Sequence, residues 1–194
     1  EKVNAPDFVS KYMSPHVITS KEQILDVGCG PGVIASAVAS HHKSTEVYGV
    51  DLRKDRIALA KRSTLNLKNM YFERAEASCL PFVDNKFDLI YTRFLLEYLK
   101  YPENVLKEFK RVGKHGGKLI MQDLDGQLVT HYPIKNEFEN RINVIIEALK
   151  KTGFDPYLGR KLYYMAINAG LKNIKVVIEP YHQIIGKIND RELY

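Results

Sequence analysis

A glycine-rich loop between a strand pattern and a helix pattern constrains the fold of this chain more than any other feature. It lies in QILDVGCGPGVIASAVA, at residues 23–39. The apolar run ILDV predicts a buried strand, and VIASAVASHH predicts the helix that follows it. Gly28, Gly30 and Gly32 allow backbone conformations that other residues avoid and let a ligand approach the main chain. In open α/β sheets such a loop, at the carboxyl end of a strand, is a ligand site.

The spacing of the glycines excludes two kinds of phosphate-binding loop. A GxGxxG dinucleotide fingerprint would place its third glycine at position 33, which is Val33, and the P-loop pattern GxxxxGK[ST] is absent. The loop could also be a turn that only packs a helix against a strand. Asp51 argues against that alternative because it ends the next strand pattern, VYGVD, where acids accept hydrogen bonds from ribose hydroxyls. The pattern therefore indicates a ligand with a ribose but without dinucleotide spacing.

Short apolar runs alternate with amphipathic stretches as far as Asp125. The predicted strands are 24–27, Glu46–Asp51, 70–75, 87–92 and 117–125. Residues 102–112 predict a strongly amphipathic helix, with an apolar face of Val105, Leu106, Phe109 and Val112. This alternation predicts parallel βαβ units in a doubly wound sheet.

After Asp125 the rhythm changes. Residues 133–153 predict an extra helix that ends at Gly153, with an inner face of Phe138, Ile142, Ile145 and Leu149. A shorter helix over 159–170 and one or two late strands over 173–186 follow, the latter as an antiparallel edge. We expect one domain over 1–194, with an N-terminal helical lid segment, a cofactor-binding core, a helical substrate-side insertion and C-terminal strands. These parts are 1–20, 21–125, 126–170 and 171–194.

Composition limits the partners and the compartment. The net charge is +6, but lysines and arginines alternate with acids on predicted helix faces, which is typical of solvated surface and makes a nucleic-acid partner unfavoured. The chain contains no apolar stretch long enough to span a membrane and no apolar leader segment. Cys29 and Cys79 form no CxxC pair, which favours free thiols and a cytoplasmic location. The histidines lack metal-ligand spacing, so no metal is predicted, and the sequence does not predict the oligomeric state.

Four motifs occur in an order that is more specific than any one of them. They are ILDVGCGPG, VYGVD, AEASCLPFVDNKFDLIYT and VLKEFKRVGKHGGKLIMQDLD, and they span about residues 20–125. Together they resemble the class I S-adenosylmethionine-dependent methyltransferases, most closely the ubiquinone- and menaquinone-biosynthesis-like branch. The resemblance implies S-adenosyl-L-methionine as cofactor. It also implies a mostly parallel, seven-stranded Rossmann-like sheet with an antiparallel edge and a helical insertion after strand 5.

The resemblance assigns one set of residues to the methionine portion of the cofactor. Gly28, Cys29 and Gly30 would line it, and Asp26 would orient the loop and place negative charge near the ammonium or sulfonium. Thr92, at the end of the fourth predicted strand, would lie under the transferable methyl group.

A second set is assigned to the adenosine portion. Asp51 would hold both ribose hydroxyls, and Leu52 would pack beside the adenine. Glu76 stands where the family usually has Asp, so its longer side chain would have to place its carboxylate differently to accept from the adenine amino group. The backbone N–H of Ala77 would serve adenine N1.

Methyl transfer is an in-line displacement with a good leaving group, so positioning of the two substrates supplies much of the catalysis. A general base is needed only where the acceptor must lose a proton. His131 and Glu97 are the main candidates for such a base, with Tyr132 and His16 as further ones. His131 is also compatible with an exposed loop position, and Glu97 is expected at a helix surface that faces the cleft. Glu97 stands where many relatives carry His.

Two further residues have candidate roles near the cofactor. Arg93 could reach a carboxylate of the cofactor or substrate, or form a structural salt bridge. Tyr12 could close over the cofactor.

The acceptor is predicted to be a small molecule. The insertion after Asp125 and the tyrosine-rich YYM stretch suggest a cap over a small, partly apolar substrate. The stretch YTRF after the fourth strand lacks the [DN]PP[FYW] motif of adenine and glutamine methylation, and no cysteine nucleophile for cytosine follows it. The alternatives are a methyltransferase acting on RNA or protein and a non-catalytic S-adenosylmethionine-binding scaffold. A dehydrogenase is disfavoured by Val33.

Overall fold

The computed structural model describes residues 9–13, 21–126 and 135–179. Over 21–126, short buried strands alternate with helices, as the apolar pattern predicts. The strands are β1 Gln23–Val27, β2 Glu46–Asp51, β3 Met70–Arg74, β4 Phe87–Arg93 and β5 Gly113–Gln122. The α-helices are α1 Val33–His41, α2 Lys54–Ser63, α3 Pro102–Val112, α4 Asn136–Lys151 and α5 Leu162–Asn168. A π-helical turn spans Val9–Met13, and 3₁₀ turns span Leu96–Tyr98 and Gly159–Lys161.

The five strands form one sheet in the order β3-β2-β1-β4-β5, and every neighbouring pair is parallel. The chain adds strands to one side of β1 and then returns to its other side, so the strand order reverses between β1 and β4. In sheets of this kind, the crevice at that reversal is where ligands bind. The predicted doubly wound parallel sheet is confirmed.

The prediction of seven strands with an antiparallel edge is wrong for the described part of the chain. Residues 171–179 form no strand, and the rest of the predicted edge, 180–186, lies outside the described residues. Val176, Val177 and Ile178 are 56%, 56% and 86% exposed, so this apolar run has no sheet neighbour to pack against. A run of β-branched residues becomes a strand only where another strand completes its hydrogen bonds.

Helices cover both faces of the sheet. Adjacent residues of a strand point to opposite faces, and in β1 Ile24 packs with α1 and α2 whereas Leu25 packs with α3. The predicted apolar face of α3 is confirmed, since all four of its residues, Val105, Leu106, Phe109 and Val112, are buried. Burial on both faces holds the strand ends rigidly, which fixes the loops that follow them.

The predicted inner face of α4 is wrong. Ile146 is the buried residue of this helix, at 6% exposed, whereas Ile145 is 57% and Phe138 47% exposed. Leu149 is 36% exposed and Ile142 is half-buried. Several residues satisfy the helical period about equally well, and the contacts of the folded chain select one of them. Gly153 follows the helix with a φ of 93°, as its predicted role in ending the helix requires.

Within the described ranges, no helix has the length and apolar character required to cross a bilayer. Cys29 and Cys79 are both free thiols, the first buried and the second exposed.

Candidate functional site

The glycine loop connects β1 to α1 at the carboxyl edge of the sheet. The backbone N–H groups of Gly28 and Cys29 donate to the carbonyl oxygen of Val50, at 2.8 and 3.0 Å. These two bonds hold the loop against the end of β2. Gly28, Gly30 and Gly32 have φ values of 78°, 54° and 78°, in the left-handed region that favours glycine.

Two of these glycines are required for different reasons. A Cβ at Gly32 would lie 2.7 Å from Phe72 Cζ, so this glycine allows the start of α1 to pack closely on β3. A Cβ at Gly30 would meet no atom within 4 Å. Gly30 therefore presents its backbone to open space, as a loop that receives a ligand must.

Asp51 is placed by the same loop. One carboxylate oxygen, Oδ2, accepts the Gly30 N–H at 2.9 Å, and the other, Oδ1, accepts the Arg53 N–H at 2.8 Å. Each oxygen keeps a second lone pair, so the carboxylate can accept further hydrogen bonds from a ligand. Leu52, which follows it, is 59% exposed and offers an apolar surface beside this carboxylate.

Asp26 lies beneath the loop and is 4% exposed. Its Oδ2 accepts a hydrogen bond of 2.8 Å from the Tyr91 hydroxyl. Burial raises the pKa of Asp26 to about 7, the hydrogen bond from Tyr91 opposes this rise, and the charge of Asp51 adds to it. Burial likewise raises the pKa of the Cys29 thiol, so Cys29 is a neutral, small apolar group that packs under the loop.

The turn after β3 lies beside Asp51, because the Ala75 N–H donates to the Asp51 carbonyl oxygen at 3.1 Å. Glu76 is exposed, and its Oε1 accepts a hydrogen bond of 2.6 Å from the Ser78 hydroxyl. Ala77 is half-buried. The structure therefore places the turn that is predicted to bind adenine next to Asp51, the residue that is predicted to bind the ribose.

The other half of the site lies at the ends of β4 and β5. Thr92 pairs in register with Val27, directly before the glycine loop, and is fully buried with no hydrogen-bond partner for Oγ1. Glu97, in the 3₁₀ turn after β4, is 1% exposed, and its Oε2 has no partner. Burial raises the pKa of Glu97, and the neighbouring Tyr98 hydroxyl opposes this rise.

Asp123, directly after β5, joins this group. One of its oxygens, Oδ2, accepts the Leu96 N–H at 3.1 Å, and the other, Oδ1, is buried without a partner. Burial raises the pKa of Asp123 to about 7, and the charge of Glu97 adds to the rise. No sequence motif assigned a role to Asp123. Its signal was the acid in QDLD at the end of a predicted parallel strand, where side chains of neighbouring strands converge.

The segment after α4 packs against this half of the site. The Asp155 N–H donates to the Glu97 carbonyl oxygen at 2.7 Å, and the rings of Phe154 and Tyr98 lie 5.1 Å apart. The Gly159 N–H donates to the Leu124 carbonyl oxygen at 2.9 Å. Three contacts therefore place residues 154–159 against the segments that follow β4 and β5.

The remaining candidates are less informative. His131, Tyr132 and His16 lie outside the described residues, as does the side chain of Tyr12. Arg93 donates from Nε to Gln122 Oε1 at 2.8 Å, and its guanidinium lies 4.0 Å from the centre of the Phe94 ring. Among the residues that the structure describes, no three His, Cys, Asp or Glu side chains are grouped to hold a metal ion.

A family model described as a methyltransferase domain matches residues 18–170. The chain belongs to the methyltransferase domain family. Membership confirms the predicted resemblance to the S-adenosylmethionine-dependent methyltransferases, an enzyme family whose cofactor is S-adenosylmethionine. The matched range includes the glycine loop and both halves of the site.

Relatives and solved structures agree with this membership. An uncharacterized methyltransferase of Schizosaccharomyces pombe is 35% identical over 91% of this chain and 64% of its own length. A ubiquinone biosynthesis O-methyltransferase of Coxiella burnetii is 29% identical over 59% of this chain and 49% of its own length. A Haemonchus contortus phosphoethanolamine N-methyltransferase, solved with phosphomonomethylethanolamine and S-adenosylhomocysteine, shares the fold with a TM-score of 0.70. It is 22% identical, over 89% of this chain and 38% of that one.

The chain spans only part of these methyltransferases. It covers 64%, 49% and 38% of the lengths of the Schizosaccharomyces pombe, Coxiella burnetii and Haemonchus contortus proteins.

Proposed function

We propose that this methyltransferase transfers a methyl group from S-adenosylmethionine to a small-molecule acceptor. The observation that carries the proposal is the Asp51 carboxylate, held at 2.9 Å by the Gly30 N–H beside a backbone that faces open space. A ribose ligand needs a fixed carboxylate, and it needs room directly next to that carboxylate. Both features occur at the point where the strand order reverses.

The described residues fit the cofactor along the crevice. Asp51 would accept both ribose hydroxyls with its spare lone pairs, and exposed Leu52 would cover one face of the adenine. The Ala77 N–H and the Glu76 carboxylate, of which the Ser78 hydroxyl uses only Oε1, would bind the adenine edge.

The methionine portion would lie along the glycine loop. Gly28, Cys29 and Gly30 would line it, with Asp26 beneath them and Thr92 facing the methyl group. S-adenosylmethionine supplies a methyl group on a positively charged sulfur. Asp26 favours that positive charge whenever it is ionised, and a charge bound nearby lowers its pKa in return.

A small acceptor is favoured by the way the insertion covers the acceptor side. Phe154 and Asp155 pack on the turn that carries Glu97, so the described part of the insertion, residues 135–170, would cover a substrate at the ends of β4 and β5. The core, 21–125, would bind the cofactor. The Haemonchus contortus enzyme, which shares this fold, was solved with a small phosphorylated amine.

A methyltransferase for RNA or protein is the second candidate, motivated by the net charge of +6. It is less favoured because lysines and arginines alternate with acids along the chain and form no dense basic stripe. A cofactor-binding scaffold without catalysis is the third candidate. This scaffold is less favoured than an enzyme, because Thr92 and Glu97 have polar atoms without hydrogen-bond partners where an acceptor would lie.

Binding measurements test the cofactor assignment. Calorimetric titration of the wild type with S-adenosylmethionine and S-adenosylhomocysteine should show binding in the micromolar range, and NAD should not bind. Asp51→Ala should weaken both affinities by about a hundredfold or more, because hydrogen bonds to a charged group contribute about 1.5–3 kcal/mol each. Asp55→Ala is the control, since that exposed acid pairs only locally with Arg53 on the outer side of α2.

Either of two results would contradict the proposal. One is binding of NAD alone, and the other is equal affinity of the Asp51→Ala and wild-type proteins for S-adenosylhomocysteine. The acceptor class is tested with labelled S-adenosylmethionine and a cell extract divided by ultrafiltration. Label that enters only the small-molecule fraction supports the proposal, and label in RNA or protein supports the second candidate.

A further inference from the structure

Three oxygens without a hydrogen-bond partner lie at the ends of β4 and β5, where Thr92 pairs in register with Met121, two residues before Asp123. They are Thr92 Oγ1, Glu97 Oε2 and Asp123 Oδ1, each buried and without a hydrogen-bond partner. Buried polar atoms are normally satisfied, and leaving one unsatisfied is costly. Because Thr92 is not acidic and is fully buried, it marks this point independently of the two carboxyl groups.

The two carboxyl groups are held close together by the backbone. Asp123 accepts the Leu96 N–H at 3.1 Å, which fixes its carboxylate against the 3₁₀ turn that carries Glu97. Burial raises the pKa of Asp123 to about 7, and the charge of the neighbouring Glu97 adds to this rise. Two neighbouring carboxyl groups, each with a buried oxygen, favour binding of a positive charge that neutralises both.

Neighbouring acids provide a direct comparison. Asp125 forms an ion pair of 2.8 Å with Arg160, and Asp155 pairs with Lys161. Within the described ranges, no lysine or arginine forms an ion pair with Glu97 or Asp123. In the described part of the chain, the acids Asp125 and Asp155 are therefore paired with basic side chains, whereas Glu97 and Asp123 are not.

The position of Glu97 and Asp123 relative to the cofactor crevice indicates which molecule would supply this positive charge. The order β3-β2-β1-β4-β5 places Asp51 on one side of β1 and the carboxyl pair on the other. Thr92, paired in register with Val27, lies between the two halves. With the cofactor bound on the Asp51 side of β1, Glu97 and Asp123 would face the methyl acceptor.

We propose that Glu97 and Asp123 together bind a positively charged nitrogen of the methyl acceptor, so that the acceptor is an amine-bearing small molecule. This inference rests on the proposed function and adds the chemical class of the substrate. An ammonium group supplies up to three N–H donors, as many as there are free oxygens on Glu97, Asp123 and Thr92. A carboxylate or phosphate at the same point would be repelled and would leave all three unsatisfied.

The test compares three probes that share one apolar chain: n-hexylamine, 1-hexanol and hexanoate. Each is titrated by NMR into protein saturated with S-adenosylhomocysteine at about pH 8, above the raised pKa of Asp123. We expect the amine to bind about tenfold or more tightly than the alcohol, and the acid to bind weakest. The double variant Glu97→Gln with Asp123→Asn should lose that preference.

Matched controls separate binding from folding. Glu103→Gln removes an exposed acid from the first turn of α3 and should leave the preference for the amine unchanged. Glu97→Gln alone, which keeps the size of the side chain, decides the matter where the double variant does not fold. Thermal unfolding of each variant reports on the fold.

Two results would overturn the inference alone. One is equal binding of the three probes, and the other is an amine preference that persists in the double variant, each with S-adenosylhomocysteine still bound. Failure of the wild type to bind S-adenosylhomocysteine would instead overturn the proposed function, and with it this inference.

Discussion

The Tyr91 hydroxyl donates a 2.8 Å hydrogen bond to the Asp26 carboxylate across the β1–β4 pair, where the two residues lie in register. Both side chains are buried beneath the glycine loop. The bond stabilises the ionised form of Asp26, which burial disfavours. It therefore favours a negative charge on Asp26, directly below the position predicted for the methionine portion of the cofactor.

Tyr91→Phe should destabilise the protein more at high pH than at low pH. The lost bond to an ionised acceptor is worth about 1.5–3 kcal/mol, and less when Asp26 is protonated. Urea unfolding at about pH 8 and about pH 5, on either side of the raised pKa of Asp26, measures the difference. An equal loss at both pH values would show that Asp26 does not ionise in this range.

Asp26→Asn should stabilise the fold above neutral pH. The unfolded chain releases the Asp26 proton at about pH 4, whereas the folded chain keeps it up to about pH 7. The folded state binds more protons between these values, so the free energy of unfolding falls as pH rises through this window. The variant removes this dependence and should gain up to about 4 kcal/mol at pH 8, because a tenfold change in proton affinity equals about 1.4 kcal/mol.

Asp123 contributes a dependence of the same sign, since its pKa is also raised to about 7. The wild type minus variant difference isolates Asp26, and unfolding curves from about pH 4 to pH 8 would measure it. A gain that is the same at every pH would contradict the assignment of the raised pKa to Asp26.

Gly30→Ala should weaken cofactor binding, and Gly116→Ala should not. Both glycines have positive φ values, 54° and 77°, and at both a new Cβ meets no atom within 4 Å. Each substitution should therefore cost a similar backbone strain of about 1–2 kcal/mol. Only Gly30 faces the proposed crevice, so calorimetry should detect a loss of S-adenosylhomocysteine affinity in that variant alone. Equal affinities of the two variants would place the ligand elsewhere.

Ile146→Ala should cost about 2–4 kcal/mol of unfolding free energy, as truncation of a buried aliphatic side chain does. Ile145→Ala is the matched control one position earlier, where the side chain is 57% exposed, and it should change stability by under about 0.5 kcal/mol. Thermal or urea unfolding compares the two variants. A larger loss of stability in Ile145→Ala than in Ile146→Ala would support the inner face that the sequence pattern predicted.

The cofactor half of the site could be predicted because its signals are local or follow the chain in a fixed order. The glycine loop and Asp51 each end a strand pattern, and parallel strands bring their carboxyl ends to one edge. The hydrogen bond between Asp51 and Gly30 joins two residues that the sequence had already paired.

The acceptor half could be predicted only in part. Glu97 was a candidate base on its own, and nothing in the sequence connected it with Asp123, which lies beyond a whole helix and strand. The two meet because β4 and β5 pair in register and Asp123 then binds the Leu96 N–H. Burial, which raises the pKa values of both groups, depends on packing that no local pattern contains.

By itself, the sequence determined the alternation of strands and helices, the parallel sheet and the place of the glycine loop. These follow from hydrophobic period and from glycine's backbone freedom, which act over a few neighbouring residues. Only the tertiary structure decided that Ile146 is the buried residue of α4, that 171–179 form no strand, and that Asp123 lies against the turn that carries Glu97. Each of these depends on contacts between distant segments, and a local pattern is compatible with several such contacts.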